Sequence, residues 1–221
     1  MAEPLRLDMH VHSHASFDSL SRPEDVLQAA RKRGMDRLVI ADHNRIDGAL
    51  ELHALDAERI LVGEEVKTAE GVDVIGILLQ DRIPKGTRAA ETCERIREQG
   101  GVVYIPHPFD TRRAGGGELL EELEPWIDVV EAHNARSWGR GLNARAEAWA
   151  TERGKLLGAG SDAHTPGEIG HGYMEVPPFE PTREGLLAAL AEGRVAGRAT
   201  FSPLCHLRSS YAKVRKKLGS V

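Results

Sequence analysis

Short apolar runs alternate with longer amphipathic segments along most of the chain. The apolar runs are typical of buried strands, which are predicted at residues 5–11, 36–43, 59–66, 72–79, 102–109, 127–135 and 155–164. The amphipathic segments predict helices at residues 21–34, 87–101, 141–154 and 182–193. Ser21 and Glu24 form a candidate capping box for the first helix, and Gly34 is a candidate stop. This alternation favours a parallel sheet covered by helices.

The chain shows no internal repeat and no stretch long enough to be an interdomain linker. The segments "RRAGGGE" (112–118) and "TPGEIGHG" (165–172) are its candidate flexible points. We therefore predict a single domain over residues 1–221. The C-terminal segment from about residue 204 is basic, with the sequence "AKVRKKLGS" near its end, and a solvated helix face or tail is the favoured interpretation.

Composition limits the class of protein. The net charge of -5 argues against a broad basic surface for nucleic acid, but a small anionic substrate needs only a local positive site. The N-terminus lacks a signal-peptide pattern, and no apolar run approaches the roughly 18 residues of a membrane helix. Cys93 and Cys205 form no C-x-x-C pair, so buried thiols in a reducing compartment are expected. These features predict a cytoplasmic soluble protein.

Each predicted strand carries ionisable residues at or near one end. Residues i and i+2 of a strand point to the same side, so His10 and His12 are expected to project together. In a parallel α/β barrel the carboxyl ends of all strands meet at one face, where distant residues converge. The residues expected there are Asp8, His10, His12, Asp42, His43, Glu64, Glu65, Asp73, His107, His133, Asp162 and His164.

Imidazoles and carboxylates without thiols indicate a metal site with nitrogen and oxygen ligands, which suits zinc, manganese or iron. A single histidine at a strand end is more often an ordinary polar residue than a ligand, so the joint pattern carries the prediction. The candidates exceed the four ligands of one tetrahedral zinc, so at least two ions are predicted and three are possible. His53, His171 and His206 lie outside the strand-end pattern and are left out.

Five motifs occur in the order found in the polymerase and histidinol phosphatase (PHP) superfamily. They are "DMHVHSHASFDSLS" (8–21), "IADHN" (40–44), "GEEV" (63–66), "IPHPFD" (105–110) and "GSDAH" (160–164). The chain resembles compact, stand-alone PHP metal-dependent phosphoesterases over residues 5 to about 198. The resemblance implies an α/β fold, a distorted (β/α)7 barrel with three divalent ions at its mouth.

The resemblance also implies roles for individual residues. His10, His12 and Asp162 match the ligands of one ion, while Glu65 matches the carboxylate that bridges two. His107 matches a ligand of the second ion. The third is implied to be held by Asp18, His43 and His164, and family members often have His in place of Asp18. Glu65, Asp162 and His164 are the residues expected to carry catalysis.

Two positions depart from the usual family pattern. Asp73 stands where the second ion often has a histidine ligand, and the carboxylate is carried over in its place. His133 stands where relatives more often have an aromatic residue, so a ligand, a substrate contact or neither remain open. Asp8 and Asp42 are expected to position the ligands rather than to bind metal.

The implied activity is hydrolysis of a phosphomonoester or a terminal phosphodiester by a hydroxide that bridges the metal ions. Clustered ions lower the pKa of a bound water and neutralise charge on the phosphoryl oxygens. Arg45 and Arg136 follow strand-end motifs, so each is a candidate phosphate contact, with a solvent-exposed arginine as the alternative. Nucleotides, histidinol phosphate and short oligonucleotides are substrates in the superfamily. Histidinol phosphatases tend to be longer, so nucleotide-like substrates are favoured.

Two alternatives remain open. An amidohydrolase shares the barrel and the H-x-H strand, but it typically has a bridging lysine at a strand end, whereas Lys67 is expected to open a turn. A non-catalytic, metal-stabilised PHP module is the other, and a complete ligand set argues against it.

No insertion is long enough to cap the mouth, and aromatic residues are only 5% of the chain, so an open site with few stacking platforms is expected. The sequence predicts no membrane partner and leaves the oligomeric state open.

Overall fold

A computed structural model describes residues 3–113, 116–117, 119–139, 141–199, 201 and 205–219. Within these residues the strands are β1 (Leu5–Val11), β2 (Arg37–His43), β3 (Ile60–Lys67), β4 (Asp73–Ile77), β5 (Val102–Ile105), β6 (Val129–Asn134), β7 (Leu156–Gly160), β8 (Gly172–Val176) and β9 (Arg194–Arg198). The helices are α1 (Pro23–Arg33), α2 (Asp47–Leu55), α3 (Ala89–Glu98), α4 (Leu120–Leu123), α5 (Leu142–Glu152), α6 (Arg183–Glu192) and α7 (Cys205–Lys217), with 3-10 turns at Thr111–Arg113 and Pro166–Glu168.

The strands form one sheet in the order β7-β6-β5-β4-β3-β2-β1-β8-β9. The sheet curls until the chain after β7 meets the end of β1. There the amide of Asp162 donates to the carbonyl of His10 at 2.7 Å, and the amide of His12 donates to Ala163 at 2.9 Å. The distorted, nearly closed α/β barrel that the resemblance implied is confirmed.

The sheet is mixed rather than fully parallel. β4 runs antiparallel to both β3 and β5, and β8 runs antiparallel to both β1 and β9. The link between β3 and β4 spans only residues 68–72, which is too short for the helical crossover that two parallel strands require. The expectation of a parallel sheet is therefore wrong at these strands.

Two apolar clusters lie on the two sides of the sheet. The outer cluster contains Val26, Leu52 and Ile96 from helices α1, α2 and α3. The inner cluster is built largely from alternate strand residues such as Val39 and Leu61, and α6 covers it with Leu186. Along β3, odd-numbered residues face inward and even-numbered residues face outward, as strand alternation requires. Side chains at the inner ends of the strands therefore meet above the inner cluster.

Local signals in the sequence predict one end of α1 correctly and the other end wrongly. Gly34 ends α1 in the left-handed conformation with φ of 66°, as predicted. The capping box is wrong, because α1 begins at Pro23 with Arg22 as its N-cap and with no side-chain cap. The hydroxyl of Ser21 instead lies 3.2 Å from the carbonyl of His164.

Other expectations fall on particular segments. No helix among the described residues has the length and apolar character needed to cross a bilayer. The candidate flexible segment 112–118 lies in part outside the described residues, at positions 114, 115 and 118. The other candidate, residues 165–172, contains a 3-10 turn and the first residue of β8.

The first testable prediction concerns the packing of β7. A Cβ at Gly158 would lie 2.4 Å from the Cε2 atom of Tyr104, whose ring is fully buried. Gly158→Ala is therefore expected to lower the free energy of unfolding by about 1–3 kcal/mol, measured by urea denaturation. Gly167→Ala is the control, because a Cβ there meets no atom within 4 Å. Equal stability of the two variants would contradict this packing.

Candidate metal centre

Two imidazoles from the end of β1 form the base of the candidate site. The register of β1 against β2 shifts between Asp8 and Val11, and beyond this irregularity both His10 and His12 face the inside of the barrel. Their Nε2 atoms lie 3.1 Å apart, and both residues are buried. Two ring nitrogens this close need a proton or a cation between them, so the pair suits a metal ion.

The carboxylate of Glu65 lies among four imidazoles. Its Oε2 atom is 3.5 Å from the Nε2 atoms of His10 and His12 and 3.0 Å from Nδ1 of His43. Its Oε1 atom is 3.2 Å from Nε2 of His107. Burial by itself raises the pKa of Glu65, but the charges of His43 and His10 outweigh burial and hold this pKa well below its usual value. Glu65 is therefore an ionised carboxylate at the centre of the cluster.

Three groups of side chains each bring their ligand atoms within 4.8 Å of one another. The groups are His12, His43 and His164; His10, His12 and Asp162; and Glu65, Asp73 and His107. Asp18 joins the first group, with its Oδ2 atom 3.2 Å from Nε2 of His164 and 3.5 Å from Nε2 of His43. The structure thus brings together all nine residues that the sequence predicted as ligands. Nitrogen and oxygen donors in this mixture suit zinc, manganese or iron.

The protonation states of the histidines differ across the cluster. Burial lowers the pKa of His12, the positive charge of His164 lowers it further, and it falls to about 3. Burial also opposes the charge on His43, but the carboxylates of Glu65 and Asp18 raise its pKa to about 9. His12 is therefore neutral, which is the form that binds metal, while His43 takes a proton that a metal ion would replace.

An orphaned polar atom supports the same interpretation. Within the described part of the chain, the buried Oε2 atom of Glu65, which faces the cluster, has no hydrogen-bond partner. A buried carboxylate oxygen without a partner is costly, and metal coordination is one way to remove that cost. The donor set and this oxygen therefore fit divalent ions.

Two residues of the cluster have a strained backbone. His107 has φ of 30° and Asp162 has φ of 53°, in the region that non-glycine residues seldom occupy. Each is fixed by a buried hydrogen bond: the amide of His107 donates to Glu131 at 2.7 Å, and the amide of Asp162 donates to His10. Strain held in this way is typical of functional sites, where it orients a side chain that a relaxed backbone would misplace.

Glu131 is a buried carboxylate that the sequence analysis missed. Its Oε1 atom is 3.1 Å from Nδ1 of His10, and its Oε2 atom accepts from the His107 amide and from Asn134 at 2.9 Å. A carboxylate behind a ligating histidine fixes the tautomer and the direction of the ring. The signal was present, because Glu131 lies on a strand that ends in the candidate cluster.

Asp8 and Asp42 hold loops rather than the cluster itself. Asp8 accepts from the amides of Ser161 and Gly170, both at 2.9 Å. Asp42 accepts from the amide and the hydroxyl of Ser13. Burial raises the pKa of each aspartate to about 6, although these hydrogen bonds oppose the shift. Neither aspartate belongs to the three ligand groups, and the positioning role of both stays a prediction.

The two adjacent glutamates of β3 point in opposite directions. Glu64 faces the outer side of the sheet, where its Oε2 atom accepts from the amide of Ile83 at 2.8 Å. Only Glu65 reaches the cluster. β3 also continues to Lys67, so the expectation that Lys67 opens a turn is wrong. The Nζ atom of Lys67 lies 2.6 Å from Oδ1 of Asp73.

The three predicted substrate contacts have different positions. Arg136 is buried at the cavity, with Nη2 3.0 Å from the hydroxyl of Ser209. Arg45 is turned into solvent, where it pairs with Asp47 at 2.6 Å. The register of β6 shifts before His133, which turns the ring outward to Asn143 and the carbonyl of Ala199. The structure therefore brings Arg136 to the site but not Arg45 or His133.

Helix α7 forms one wall of the site, which the sequence did not indicate. The cavity over the cluster has a volume of about 490 Å³, and His206, Ser209 and Lys213 of α7 line it. The Nζ atom of Lys213 is 3.7 Å from Oδ2 of Asp18, and Lys216 donates to the carbonyls of His14 and Ser16. The interpretation of this basic segment as a solvated face or tail is therefore wrong for the residues that face the site.

Comparison with known proteins identifies a family for these motifs. A family model described as PHP domain matches residues 8–105, and a second described as PHP-associated matches residues 132–195. The chain is 35% identical over 144 residues to an uncharacterised protein of Methanocaldococcus jannaschii, covering 59% of this chain and 82% of that protein.

Two further comparisons extend over most of the chain. A probable histidinol-phosphatase of Thermotoga maritima is 22% identical over 208 residues, covering 77% of this chain and 89% of the relative. A crystal structure from Bacteroides vulgatus, a two-domain protein containing a predicted PHP-like metal-dependent phosphoesterase, matches with a TM-score of 0.71. That protein is 17% identical, and the match covers 88% of this chain and 65% of that one, so it shows the fold.

The second testable prediction separates the two glutamates of β3. Because Glu65 alone faces the four imidazoles, Glu65→Gln is expected to weaken binding of manganese or zinc by at least tenfold, measured by competition with a chromogenic chelator. Glu64→Gln is the matched control and should bind metal as the parent does. A loss of metal in the Glu64 variant with none in the Glu65 variant would mean that the two faces of β3 are exchanged.

Proposed function

We propose that this chain, which belongs to the PHP family, is a metal-dependent hydrolase of phosphate esters. The observation that carries the proposal is the convergence of three ligand groups on the carboxylate of Glu65. Divalent ions bound there would supply two kinds of chemistry: a lowered pKa for coordinated water and neutralisation of charge on phosphoryl oxygens. A phosphate fits this arrangement because its oxygens can bind neighbouring ions at the same time.

The proposed ligands follow the three groups. One ion would be held by His10, His12 and Asp162, a second by Glu65, Asp73 and His107, and a third by Asp18, His43 and His164. Glu65 is the proposed bridge between ions, since both of its oxygens face imidazoles from different groups. Zinc, manganese and iron are the candidate ions. Glu65, Asp162 and His164 are the residues that we propose to be nearest the reacting atoms.

The charges around the cavity support an anionic substrate. The cations that line it are Lys67, Lys85, Arg112, Arg136 and Lys213, whereas the whole chain has a net charge of -5. The carboxylates of Asp18, Glu65, Asp73 and Asp162 line the same cavity, so bound divalent ions would leave it positive and able to concentrate small anions at its mouth. Arg136 is the cation that we propose to hold a phosphoryl oxygen, because its guanidinium lies at the cavity beside the carbonyl of Asp162, where it also pairs with Glu168 at 3.6 Å.

We propose small phosphomonoesters or terminal phosphodiesters, nucleotides among them, as the substrates. A cavity of about 490 Å³ accepts a nucleotide-sized molecule. The Thermotoga relative is named as a probable histidinol-phosphatase, which also supports a small phosphomonoester as the substrate.

The amidohydrolase alternative rests on one observation. Lys67 does end strand β3, which is the kind of position that a bridging lysine would occupy. Its ammonium group lies 2.6 Å from the carboxylate of Asp73, so it is engaged in an ion pair with a proposed ligand. In assays of the metal-loaded protein, release of phosphate from esters with no hydrolysis of amides or lactones would favour the phosphoesterase.

The third testable prediction is the metal content. Protein purified without chelator is expected to hold at least two and up to three divalent ions per chain, measured by elemental analysis. Dialysis against a chelator should abolish phosphate release, and manganese or zinc should restore it. Less than about one ion per chain, even after reconstitution, would contradict the proposed centre.

The fourth testable prediction concerns substrate size. Nucleoside monophosphates are expected to be cleaved with a kcat/KM comparable to or higher than that for single-stranded oligonucleotides, in parallel assays with manganese. A preference for the oligonucleotide of more than about a hundredfold would require roughly 2.7 kcal/mol of transition-state binding from distant nucleotides. Such a result would favour a nuclease activity over a phosphatase activity.

A further inference from the structure

One apolar side chain stands among the polar residues of the cavity. Phe17, in the loop after β1, is the single apolar residue among the described residues that line it. Half of its surface is exposed, at 50%. An isolated exposed phenylalanine is ordinary on a protein surface, but this ring faces the space that a substrate must fill. Beside the candidate metal centre, the Phe17 ring is placed to contact a bound substrate.

The surroundings of the ring combine an imidazole beside it with a cation that lies over the ring. The Phe17 ring lies 5.0 Å from the imidazole of His43, measured between centroids, with the planes tilted by 39°. The Nζ atom of Lys213 from helix α7 lies 5.0 Å from the centre of the same ring. A flat apolar face next to a cation favours a ligand that has a planar aromatic part joined to an anionic part.

The loop that carries Phe17 is fixed before any ligand arrives. The hydroxyl of Ser16 donates to Oδ1 of Asp18 at 2.8 Å, which pins the residues on both sides of Phe17. Lys216 of α7 donates to the carbonyls of His14 and Ser16 and so ties the same loop to the helix. Because the loop is already ordered, stacking on Phe17 costs little conformational entropy.

We infer that Phe17 is a substrate-binding residue that stacks on a planar aromatic group of the phosphate ester, with Lys213 beside the anionic part. The nucleobase of a nucleoside monophosphate is the biological group of this chemistry. The inference rests on the proposed function and narrows its substrates, because sugar phosphates and other esters without a planar group lack this contact. It also revises the expectation from composition that stacking platforms are scarce, since one ring in the right place is enough for one base.

The test compares two esters with the same type of leaving oxygen. Adenosine 5'-monophosphate and ribose 5-phosphate both release phosphate from a primary ribose hydroxyl, so the difference between them is the base. The parent protein with manganese is expected to have at least a tenfold higher kcat/KM for the nucleotide, which equals about 1.4 kcal/mol. Phe17→Ala should reduce this ratio to below about threefold. The loss should fall on kcat/KM for adenosine 5'-monophosphate alone, chiefly as a higher KM, and Phe17→Trp should restore the ratio.

Tyr211→Ala is the matched control. Tyr211 is an aromatic residue on α7 with 56% exposure, and it lies outside the lining of this cavity. Its loss should leave the ratio unchanged. Binding gives a second readout: the added fluorescence of the Phe17→Trp variant, relative to the parent with its 3 tryptophans, should be quenched by adenosine 5'-monophosphate but not by ribose 5-phosphate.

The outcomes separate this inference from the proposed function. Hydrolysis of both esters with a ratio near one, or equal losses on both esters in Phe17→Ala, would overturn the role of Phe17 and leave the phosphoesterase intact. Hydrolysis of neither ester by the metal-loaded protein, together with no nucleotide-dependent quenching, would contradict the proposed function and this inference with it.

Discussion

The carboxylate of Glu65 is the group around which the charged interior is arranged. His10, His12, His43 and His107 reach it from three separate parts of the chain, at distances between 3.0 and 3.5 Å. So many ionisable groups in a buried space are tolerable only when opposite charges alternate or when cations enter. This constraint explains why the histidines divide into neutral and protonated forms, and why divalent ions fit the same positions.

Irregular strand geometry directs the ionisable side chains of the barrel into this cluster. Shifts of register in β1 and β6 change which residues face inward, so that His10 and His12 enter the cluster while His133 leaves it. The left-handed backbones of His107 and Asp162 make further turns that ordinary strand geometry does not allow. The apolar clusters on both sides of the sheet hold these irregular ends in place, because a packed core resists the relaxation that would relieve them.

Helix α7 joins the end of the chain to its beginning. Its lysines bind the loop that follows β1, and Ser209 receives a hydrogen bond from Arg136. Of the basic residues of this segment, Lys213 lines the cavity and Lys216 binds the loop after β1, in a protein whose net charge is negative. The same contacts orient Phe17, so the surface that would meet a substrate depends on residues about 200 positions apart.

The strand-end pattern of histidines and carboxylates could be predicted from the sequence, because it follows from local alternation. The ordered motifs indicated the family, and the resemblance to that family implied Glu65 as the bridging carboxylate. The sequence also determined most strands and the end of α1 at Gly34. The sequence did not reveal that Glu131 supports His10, that Lys213 and Phe17 meet at the cavity, or that Arg45 and His133 lie away from it. The physical reason is that register shifts and contacts between distant segments depend on how the whole barrel closes, whereas local periodicity reports only which face of its own strand or helix a residue occupies.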